Sequence, residues 1–469
     1  MSEFIKSERN KAKFSHDGFL YVFDKNSKSN PNIKFWRCEL KDQCKARLHT
    51  LNDAFLKKVN DHTHGPSAAN VQVAVIKTDL KARALSGQEN PSTIINTCTS
   101  LINQAVQGAL PSNDALRQTI RRERGRNNIA PQNPVDTVQL EIPDQYKKYF
   151  FNQNDEEDFL IADSGPSTSR ILIFGRQSWC RFLIDSDIWY CDGTFKLAPL
   201  IFNQVYVIMA KRHDSVHPVL YALLQNKSRE TYSRMFQMIK DSIPGVNPIS
   251  ISCDFELAAI QAMTANFPQV QIKACFFHLK HNFFKQVKEK GLYTRYSNES
   301  EFSLKTKMIP ALAFVPVPNL DEYITALAEI LPPELETLLD WFEDNYVGRP
   351  PRRGNVRRPP RFAPDMWNLY QRTLSGQDRT NNHAEAAHRK IYIELGVHHP
   401  EIWQFINCLR RIQKSRDTYY EQLVAGRAPR QKLKKYIRND NCILRIVSQF
   451  DQREPLEYLR GIAHNYELD

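Results

Sequence analysis

One stretch decides the fold of this chain: Trp189-Tyr190-Cys191-Asp192-Gly193-Thr194-Phe195-Lys196. An apolar run over residues 188–191 leads to one carboxylate, Asp192, and a second apolar run follows Gly193 at residues 200–210. The pattern predicts a buried strand that carries an acid, a tight turn and an antiparallel partner strand. An ionised carboxylate on a buried strand is costly unless something pairs with it, and a metal ion is a common partner. Taken alone, the stretch also fits an aspartate that caps a turn.

The residues after this strand predict an ordered series of elements. In chain order these are strands at 200–210 and 217–225, a helix with Tyr232, Met235, Phe236 and Ile239 on one face, a strand at 248–253, a helix at 255–265, a strand at 270–276 and a helix at 278–290. This is the element order of the ribonuclease H-like fold, in which the first and fourth strands are neighbours. Asp192 and Asp254 are then expected to face each other across one strand spacing, about 5 Å.

A third acid is predicted further along the chain. Asn381 is a plausible helix N-cap, and Ala384, Ala387 and Ile391 form a stripe of small and apolar residues that packs the helix on a sheet beside Glu385. Three carboxylates from distant segments can hold two divalent cations that clamp the attacking and leaving oxygens of a phosphoryl displacement. We therefore expect two Mg²⁺ or Mn²⁺ ions per active site, held by Asp192, Asp254 and Glu385.

Two pairs of residues near these acids leave alternatives open. Cys275 and His278 are expected one turn apart at the end of the fifth strand, where they could pack, contact DNA or hold a metal. His383 and His388 flank the third acid and could contact DNA or simply lie on the surface.

The N-terminal residues predict a small zinc domain. Short aromatic strands between residues 14 and 66 carry Cys38, Cys44, His62 and His64, which satisfy a tetrahedral structural Zn²⁺ site. A domain of about 60 residues needs such a metal site, because its small hydrophobic core alone gives only marginal stability. The alternative is a pair of unliganded core cysteines with surface histidines.

Composition favours a polyanionic partner. The chain has 469 residues, a net charge of +12 and nine scattered cysteines, which do not form a disulfide framework. Positive charge clusters at 121–126, 352–361 and 427–435. No apolar run is long enough for a membrane span and no signal peptide is evident, so we expect a soluble intracellular protein with no membrane partner. The candidate DNA contacts are Arg121, Arg122, Arg124, Lys196, Cys275, His278, Arg352, Arg353, Arg357 and Arg358.

Two families are recognisable in these residues. Phe19-Leu20-Tyr21, Phe35-Trp36-Arg37-Cys38, Cys44-x-Ala46-Arg47 and His62-x-His64-Gly65-Pro66 resemble a FLYWCH-type zinc finger. Asp192-Gly193-Thr194-Phe195, Cys253-Asp254-Phe255-Glu256-x-Ala258-Ala259-Ile260, Cys275-Phe276-Phe277-His278 and Asn382-x-x-Glu385 resemble the motifs of Mutator-like (MULE) transposases. A C-terminal SWIM-type zinc motif, which many relatives carry, is missing.

The second resemblance implies a DDE transposase. Such an enzyme cuts double-stranded DNA at terminal inverted repeats and joins the ends to target DNA, as a homo-oligomer on DNA in the nucleus. A host protein derived from a transposase, which binds DNA or regulates transcription without catalysis, is the alternative. A nuclease of the same fold without strand transfer is a third option.

We predict a multidomain α/β protein whose ribonuclease H-like core, a mixed five-stranded sheet with helices, is interrupted by a helical insertion. The predicted domains are a FLYWCH-type finger at 1–68, a helical region and linker at 69–165, the first part of the core at 166–290, a helical insertion with a basic Pro-rich loop at 291–375, the last core helix at 376–412 and a basic helical tail at 413–469. The helices of 69–165 could be a helix-turn-helix-like DNA reader or a packing spacer. The polar break at 163–169 is interpreted as an interdomain linker or loop.

Overall fold

The computed structural model describes residues 5–6, 12–86, 91–127, 131–152, 155–349, 357–429 and 433–468. The chain divides into two compact units, Met1–Pro131 and Gln132–Asp469. The predicted boundary at 165/166 therefore does not coincide with the division between the units.

The first unit begins with a six-stranded antiparallel sheet in which each strand pairs with the next along the chain. Its strands are β1 (Ile5–Lys6), β2 (Ala12–His16), β3 (Phe19–Asn26), β4 (Ile33–Cys38), β5 (Arg47–Leu51) and β6 (Ala54–Val59). Phe14, Tyr21, Trp36 and Leu48 form its small core. The β-rich N-terminal domain predicted from the aromatic runs is confirmed.

Four helices complete the first unit: α1 (Ala68–Ser86), α2 (Pro91–Thr99), α3 (Gln104–Ala109) and α4 (Asn113–Asn127). Leu80, Ile94 and Ile120 lie in their shared core. α2 and α3 are separate helices, and the Asn103 side chain accepts a hydrogen bond from the Val106 amide and caps the start of α3.

The second unit is built on a seven-stranded mixed sheet. After the short helix α5 (Asp144–Lys147) and the hairpin of β7 (Lys148–Phe150) and β8 (Glu156–Asp158), the sheet strands are β9 (Leu160–Asp163), β10 (Leu172–Phe174), β11 (Ile188–Thr194), β12 (Gln204–Arg212), β13 (Ser215–Leu224), β14 (Ser250–Cys253) and β15 (Gln271–Ala274). Their spatial order is β15-β14-β11-β12-β13-β10-β9. β11 lies antiparallel to β12 and parallel to β14, so the predicted contact between the first and fourth strands is confirmed.

The prediction of five strands is corrected to seven, because β9 and β10 extend the edge beyond β13. Residues 163–169 are consequently a turn between two paired strands and not an interdomain linker. The turn is closed by a hydrogen bond from the Ser164 amide to the Ile171 carbonyl, 3.0 Å, and by the ion pair between Arg170 and Asp163, 2.6 Å.

The helices of the second unit pack on the sheet or on one another. They are α6 (Arg181–Asp185), α7 (Arg229–Ser242), α8 (Leu257–Asn266), α9 (Phe276–Glu289), α10 (Tyr293–Asn298), α11 (Ser300–Ala311), α12 (Leu320–Ile330), α13 (Pro333–Phe342), α14 (Pro364–Trp367), α15 (Tyr370–Leu374), α16 (Asn382–Leu395), α17 (Ile402–Val424), α18 (Lys434–Ser448) and α19 (Pro455–Ala463). α12 and α13 are separated at Pro332 and Pro333, because the residue before a proline disfavours helical backbone.

The C-terminal helices belong to the helical insertion. α19 packs against α11 and α12, and α18 packs against α15. The Tyr458 hydroxyl, on α19, donates a hydrogen bond to the Phe314 carbonyl. The segment predicted as a basic tail therefore completes the core of the inserted helices.

Within the described part of the chain, no helix combines the length and the apolar character that a membrane crossing requires.

Candidate functional site

Asp192 lies in β11, near the middle of the sheet. Its side chain is only 7% exposed, and the Gly193 amide donates a hydrogen bond of 2.8 Å to its Oδ1. A Cβ atom at position 193 would lie 1.9 Å from Gln204 Nε2, so a larger residue there would displace the Gln204 side chain. The turn that follows the acid is thus held close against β12.

Asp254 directly follows β14, the strand parallel to β11. Ile188 is in register with Ser250, and Tyr190 is in register with Ser252. The same offset places Asp254 level with Asp192, so both side chains leave the sheet on one face. The Glu256 amide donates a hydrogen bond of 3.2 Å to Asp254 Oδ1 and fixes this carboxylate.

Glu385 lies in the first turn of α16, and the predicted stripe is confirmed because Ala384, Ala387 and Ile391 are buried. Asn381 precedes the helix, but its side chain does not cap it. Instead its Nδ2 donates to the Cys191 carbonyl, 3.0 Å away. Cys191, the residue before Asp192, is therefore hydrogen-bonded to the residue that precedes α16, the helix that carries Glu385.

Cys275 connects the same segment to the fifth strand. Its Sγ accepts a hydrogen bond of 3.0 Å from the Asn381 amide, and burial raises the pKa of the thiol. A protonated, hydrogen-bonded thiol fits the packing alternative better than a metal ligand. Two further bonds hold the loop before α16: Tyr190 donates to Asp378 Oδ2 at 2.8 Å, and the Phe276 amide donates to the Arg379 carbonyl at 2.9 Å.

The three carboxylates act on one another electrostatically. Burial, together with the negative charges of Asp254 and Glu385, raises the pKa of Asp192 to about 7, against the opposing effect of the Gly193 hydrogen bond. Burial also raises the pKa of Asp254. Clustered acids that resist ionisation are what a divalent cation stabilises, so the donor set fits Mg²⁺ or Mn²⁺.

His388 lies at the site, and the sequence had left its role undecided. It lies one helical turn after Glu385, and its Nδ1 is 3.7 Å from Asp192 Oδ2. Burial, followed by the charge of His278, lowers the pKa of His388 to about 4. The imidazole is therefore neutral at pH 7, and its contact with Asp192 is not an ion pair. Helical spacing from Glu385 was the available signal, but it did not show that this side of the helix faces the sheet.

The predicted zinc ligands come together in the first unit. Within the described residues, Cys38, Cys44, His62 and His64 form the group of metal-ligating side chains whose ligand atoms all lie within 4.8 Å of one another, and the three acids of the second unit do not form such a group. Cys38 Sγ lies 3.2 Å from His64 Nε2, and Cys44 Sγ lies 3.4 Å from His62 Nδ1. These distances approach the edge of a tetrahedron around Zn²⁺, about 3.6 Å for the usual bond lengths.

The surroundings of the zinc ligands support this assignment. The other ring nitrogen of His62 is 2.7 Å from the Tyr21 hydroxyl, which orients the imidazole. Burial raises the pKa of Cys38 to about 11, whereas hydrogen bonds from Thr63 outweigh burial and lower the pKa of Cys44 to about 7. A cation at this position would stabilise both thiolates.

The basic candidates differ in their availability to DNA. Arg121 and Arg122 are exposed on α4, and Lys196 and Arg358 are also exposed. Arg357 is instead engaged by Asp321 and by Glu343, the latter at 2.9 Å. Three more arginines were candidates. Arg124 donates to the Ala84 carbonyl at 3.1 Å, and Arg352 and Arg353 lie outside the described residues. DNA contact by any of these residues stays a prediction.

Comparison with known families finds two domains. Residues 188–282 match the MULE transposase domain, and residues 4–64 match the FLYWCH zinc finger domain. The first match contains Asp192, Asp254, Cys275 and His278, whereas Glu385 lies beyond it. No curated protein is significantly similar to the chain. The chain therefore carries a transposase-related domain and a FLYWCH zinc finger.

Proposed function

We propose that this chain is a DDE-type DNA transposase that binds terminal inverted repeats and cleaves and joins DNA strands. The observation that carries the proposal is the convergence of three acids inside and beside the MULE domain. Asp192 and Asp254 lie level on neighbouring parallel strands, and the helix of Glu385 is bonded to the residue before Asp192.

We further propose that the second unit has a ribonuclease H-like core. The support is its strand order, in which three antiparallel strands, β11 to β13, are followed by β14 and β15 on the other side of β11, both parallel to it. In this order the two aspartates occupy adjacent central strands. The strands β9 and β10 then extend the core at its far edge.

In the proposed mechanism, bound Mg²⁺ or Mn²⁺ ions would supply the positive charge that activates an attacking oxygen and stabilises the departing 3′ oxygen. Asp192, Asp254 and Glu385 would hold these ions through their carboxylate oxygens. The Gly193 and Glu256 amides orient the two aspartates, and Asn381 sets the position of the Glu385 helix. The remaining steps need no covalent nucleophile from the protein.

The first unit supports the recognition of DNA. A FLYWCH finger with a zinc site and exposed arginines on α4 supply a folded domain and positive charge. We propose that this unit binds the ends of the mobile element, that the enzyme acts as a homo-oligomer on DNA and that it works in the nucleus.

The test is a cleavage and joining assay on labelled double-stranded DNA that carries the inverted repeats flanking its own gene. Zinc-loaded wild type is compared with Asp192→Asn, Asp254→Asn and Glu385→Gln in Mg²⁺ and in Mn²⁺. We expect metal-dependent nicks and joined products from wild type, and losses of at least about 100-fold in each variant. Nicks without joined products would indicate a nuclease.

A DNA-binding regulator without catalysis is the second candidate. It is favoured by one observation, that the three acids do not lie within 4.8 Å of one another among the described residues. Specific binding to the repeats with no cleavage in either metal would support this candidate over the transposase.

A further inference from the structure

Lys227 joins the two turns that carry the aspartates. It follows β13 and precedes α7, and its Nζ lies 2.6 Å from Glu256 Oε2. The same ammonium lies 4.2 Å from the centroid of the Phe195 ring. Phe195 comes three residues after Asp192, and Glu256 comes two residues after Asp254. One cation therefore contacts both acid-bearing turns.

Its charge also reaches the buried carboxylates. Burial raises the pKa of Asp192 and of Asp254, and the positive charge of Lys227 opposes that rise at both residues. Its contacts with Glu256 and Phe195 place the ammonium beside the acid-bearing segments of both strands. Without a bound metal ion, it supplies part of the positive charge that these acids require.

The exposure of these groups fits a role in binding better than a role in stability. The Lys227 side chain is 39% exposed and Glu256 is 19% exposed. An ion pair at such an exposed position contributes little to folding. Phe195, which carries the ammonium on its ring, is itself 43% exposed, so the lysine lies on an aromatic platform open to solvent.

A bound divalent cation would change the balance of forces on this lysine. The carboxylates would then be neutralised by the metal, and the like charges of metal and ammonium would repel each other. A DNA phosphate brought to the acids is an anion that an ammonium binds as a point charge. Lys227 can leave Glu256 for this phosphate by rotations of its own flexible side chain.

We propose that Lys227 binds a DNA phosphate next to the scissile bond and, in the absence of DNA, weakens metal binding by Asp192 and Asp254. This inference rests on the proposed function and deepens it, because it names the group that receives the substrate strand at the same site. Lys227 is then a substrate-contacting residue, and Phe195 is a positioning residue that holds its ammonium.

The test compares Mn²⁺ binding and DNA cleavage in Lys227→Met. The affinity of zinc-loaded full-length protein for Mn²⁺ is measured by electron paramagnetic resonance, which needs no activity. We expect Lys227→Met to bind Mn²⁺ about 10-fold more tightly, because a repelling charge is lost. We expect its kcat/KM for DNA cleavage to fall by about 10- to 100-fold, because a phosphate contact is lost. Opposite changes in the two quantities are the signature of the proposal.

Two variants separate this role from a structural one. Glu256→Gln breaks the same ion pair but keeps the ammonium and the backbone amide that bonds Asp254, so we expect its DNA cleavage to fall less than that of Lys227→Met. If the ion pair between Lys227 and Glu256 were purely structural, Glu256→Gln and Lys227→Met would lose activity alike. Lys285→Met, which removes a lysine paired with Glu289 at 3.6 Å on α9, controls for the loss of one surface charge.

Two results overturn the inference. One is unchanged or weaker Mn²⁺ binding in Lys227→Met, and the other is equal loss of cleavage in Lys227→Met and Glu256→Gln. Failure of the proposed function looks different, since wild type and Asp192→Asn would then bind Mn²⁺ equally and neither would cleave DNA. Wild-type cleavage together with an unchanged kcat/KM in Lys227→Met refutes only the role of the lysine.

Discussion

Burial shifts the protonation of single histidines in the second unit. His217 is fully buried on β13, and burial, followed by the charge of Arg416, lowers its pKa to about 4. Trp179 and Tyr420 are among the aromatic rings around it. The same direction holds for His278 and His388, whose pKa values burial also lowers to about 4. These side chains are neutral in the folded protein at neutral pH.

We predict that His217 makes the protein less stable in mild acid. In the unfolded chain its pKa returns to about 6.5, so the unfolded state takes up a proton first as the pH falls. The stability linked to neutral His217 is present above pH 6.5 and is lost between about pH 6.5 and 4. Urea unfolding at pH 7.5, 6 and 5 should therefore show a steeper loss for wild type than for His217→Gln.

The comparison with His217→Gln isolates one group, because the other titrating residues contribute equally to both proteins. Asp192 is among them, and its raised pKa changes the stability with pH in the opposite direction. Parallel losses of unfolding free energy in the two proteins across this pH range would show that His217 is not kept neutral by the fold.

At the scale of elements, helix α16 is placed on the sheet by one side chain. Asn381 donates through Nδ2 to the carbonyl that precedes Asp192 and through its backbone amide to Cys275. It is 1% exposed, so neither bond competes with water. Three elements that are distant in sequence, β11, α16 and the end of β15, therefore meet at this residue.

We predict that Asn381→Ala displaces the third acid. The Cys191 carbonyl would lose its partner inside the protein, and we expect the free energy of unfolding to fall by about 1–3 kcal/mol. Cleavage of DNA should fall by at least about 10-fold at temperatures where the variant stays folded, because Glu385 is no longer held beside Asp192. Denaturant unfolding and the cleavage assay measure the two effects.

Asn382→Ala is the matched control, since its side chain is exposed one residue later in α16. We expect it to leave stability within about 0.5 kcal/mol. If Asn381→Ala cleaves DNA as fast as Asn382→Ala, the buried amide does not position Glu385.

At the scale of the whole molecule, the two units depend on different stabilising features. The second unit has a large continuous apolar core around its sheet, whereas the sheet of the first unit has a core of four buried side chains and a zinc site. A small core of this kind is stable only with its metal. The zinc ligands connect β4, the turn after it and the segment after β6.

We predict that chelation of zinc unfolds the finger alone. Hydrogen exchange of peptides from residues 12–64 should become fast after zinc is removed, and exchange of peptides from β11 to β14 should stay slow. Cys44→Ser should give the same pattern without a chelator. Unchanged protection of residues 12–64 after complete loss of zinc would rule out a structural role for the metal.

Much of this organisation could be predicted from the sequence, for identifiable reasons. Asp192 and Asp254 end long apolar runs, so periodicity located both acids and their strands. The zinc ligands were predictable because four ligating side chains stand out in a short aromatic domain. Glu385 was predictable from the alanines around it.

Other features had no local signal. β9 and β10 have four and three residues, too few to show a period, so the edge of the sheet was missed. α18 and α19 gave no motif, because only their tertiary packing reveals that they complete the inserted helices. The position of Lys227 depends on contacts with Phe195 and Glu256, which are distant in sequence.

The central claim is that Asp192, Asp254 and Glu385 bind divalent cations together. The most direct measurement is anomalous X-ray scattering from crystals of the zinc-loaded full-length protein soaked in Mn²⁺, beside Asp192→Asn treated identically. We predict anomalous density bounded by oxygens of all three carboxylates in wild type, and its loss in the variant. Saturating Mn²⁺ without density among these carboxylates, or density that persists in Asp192→Asn, would contradict the claim.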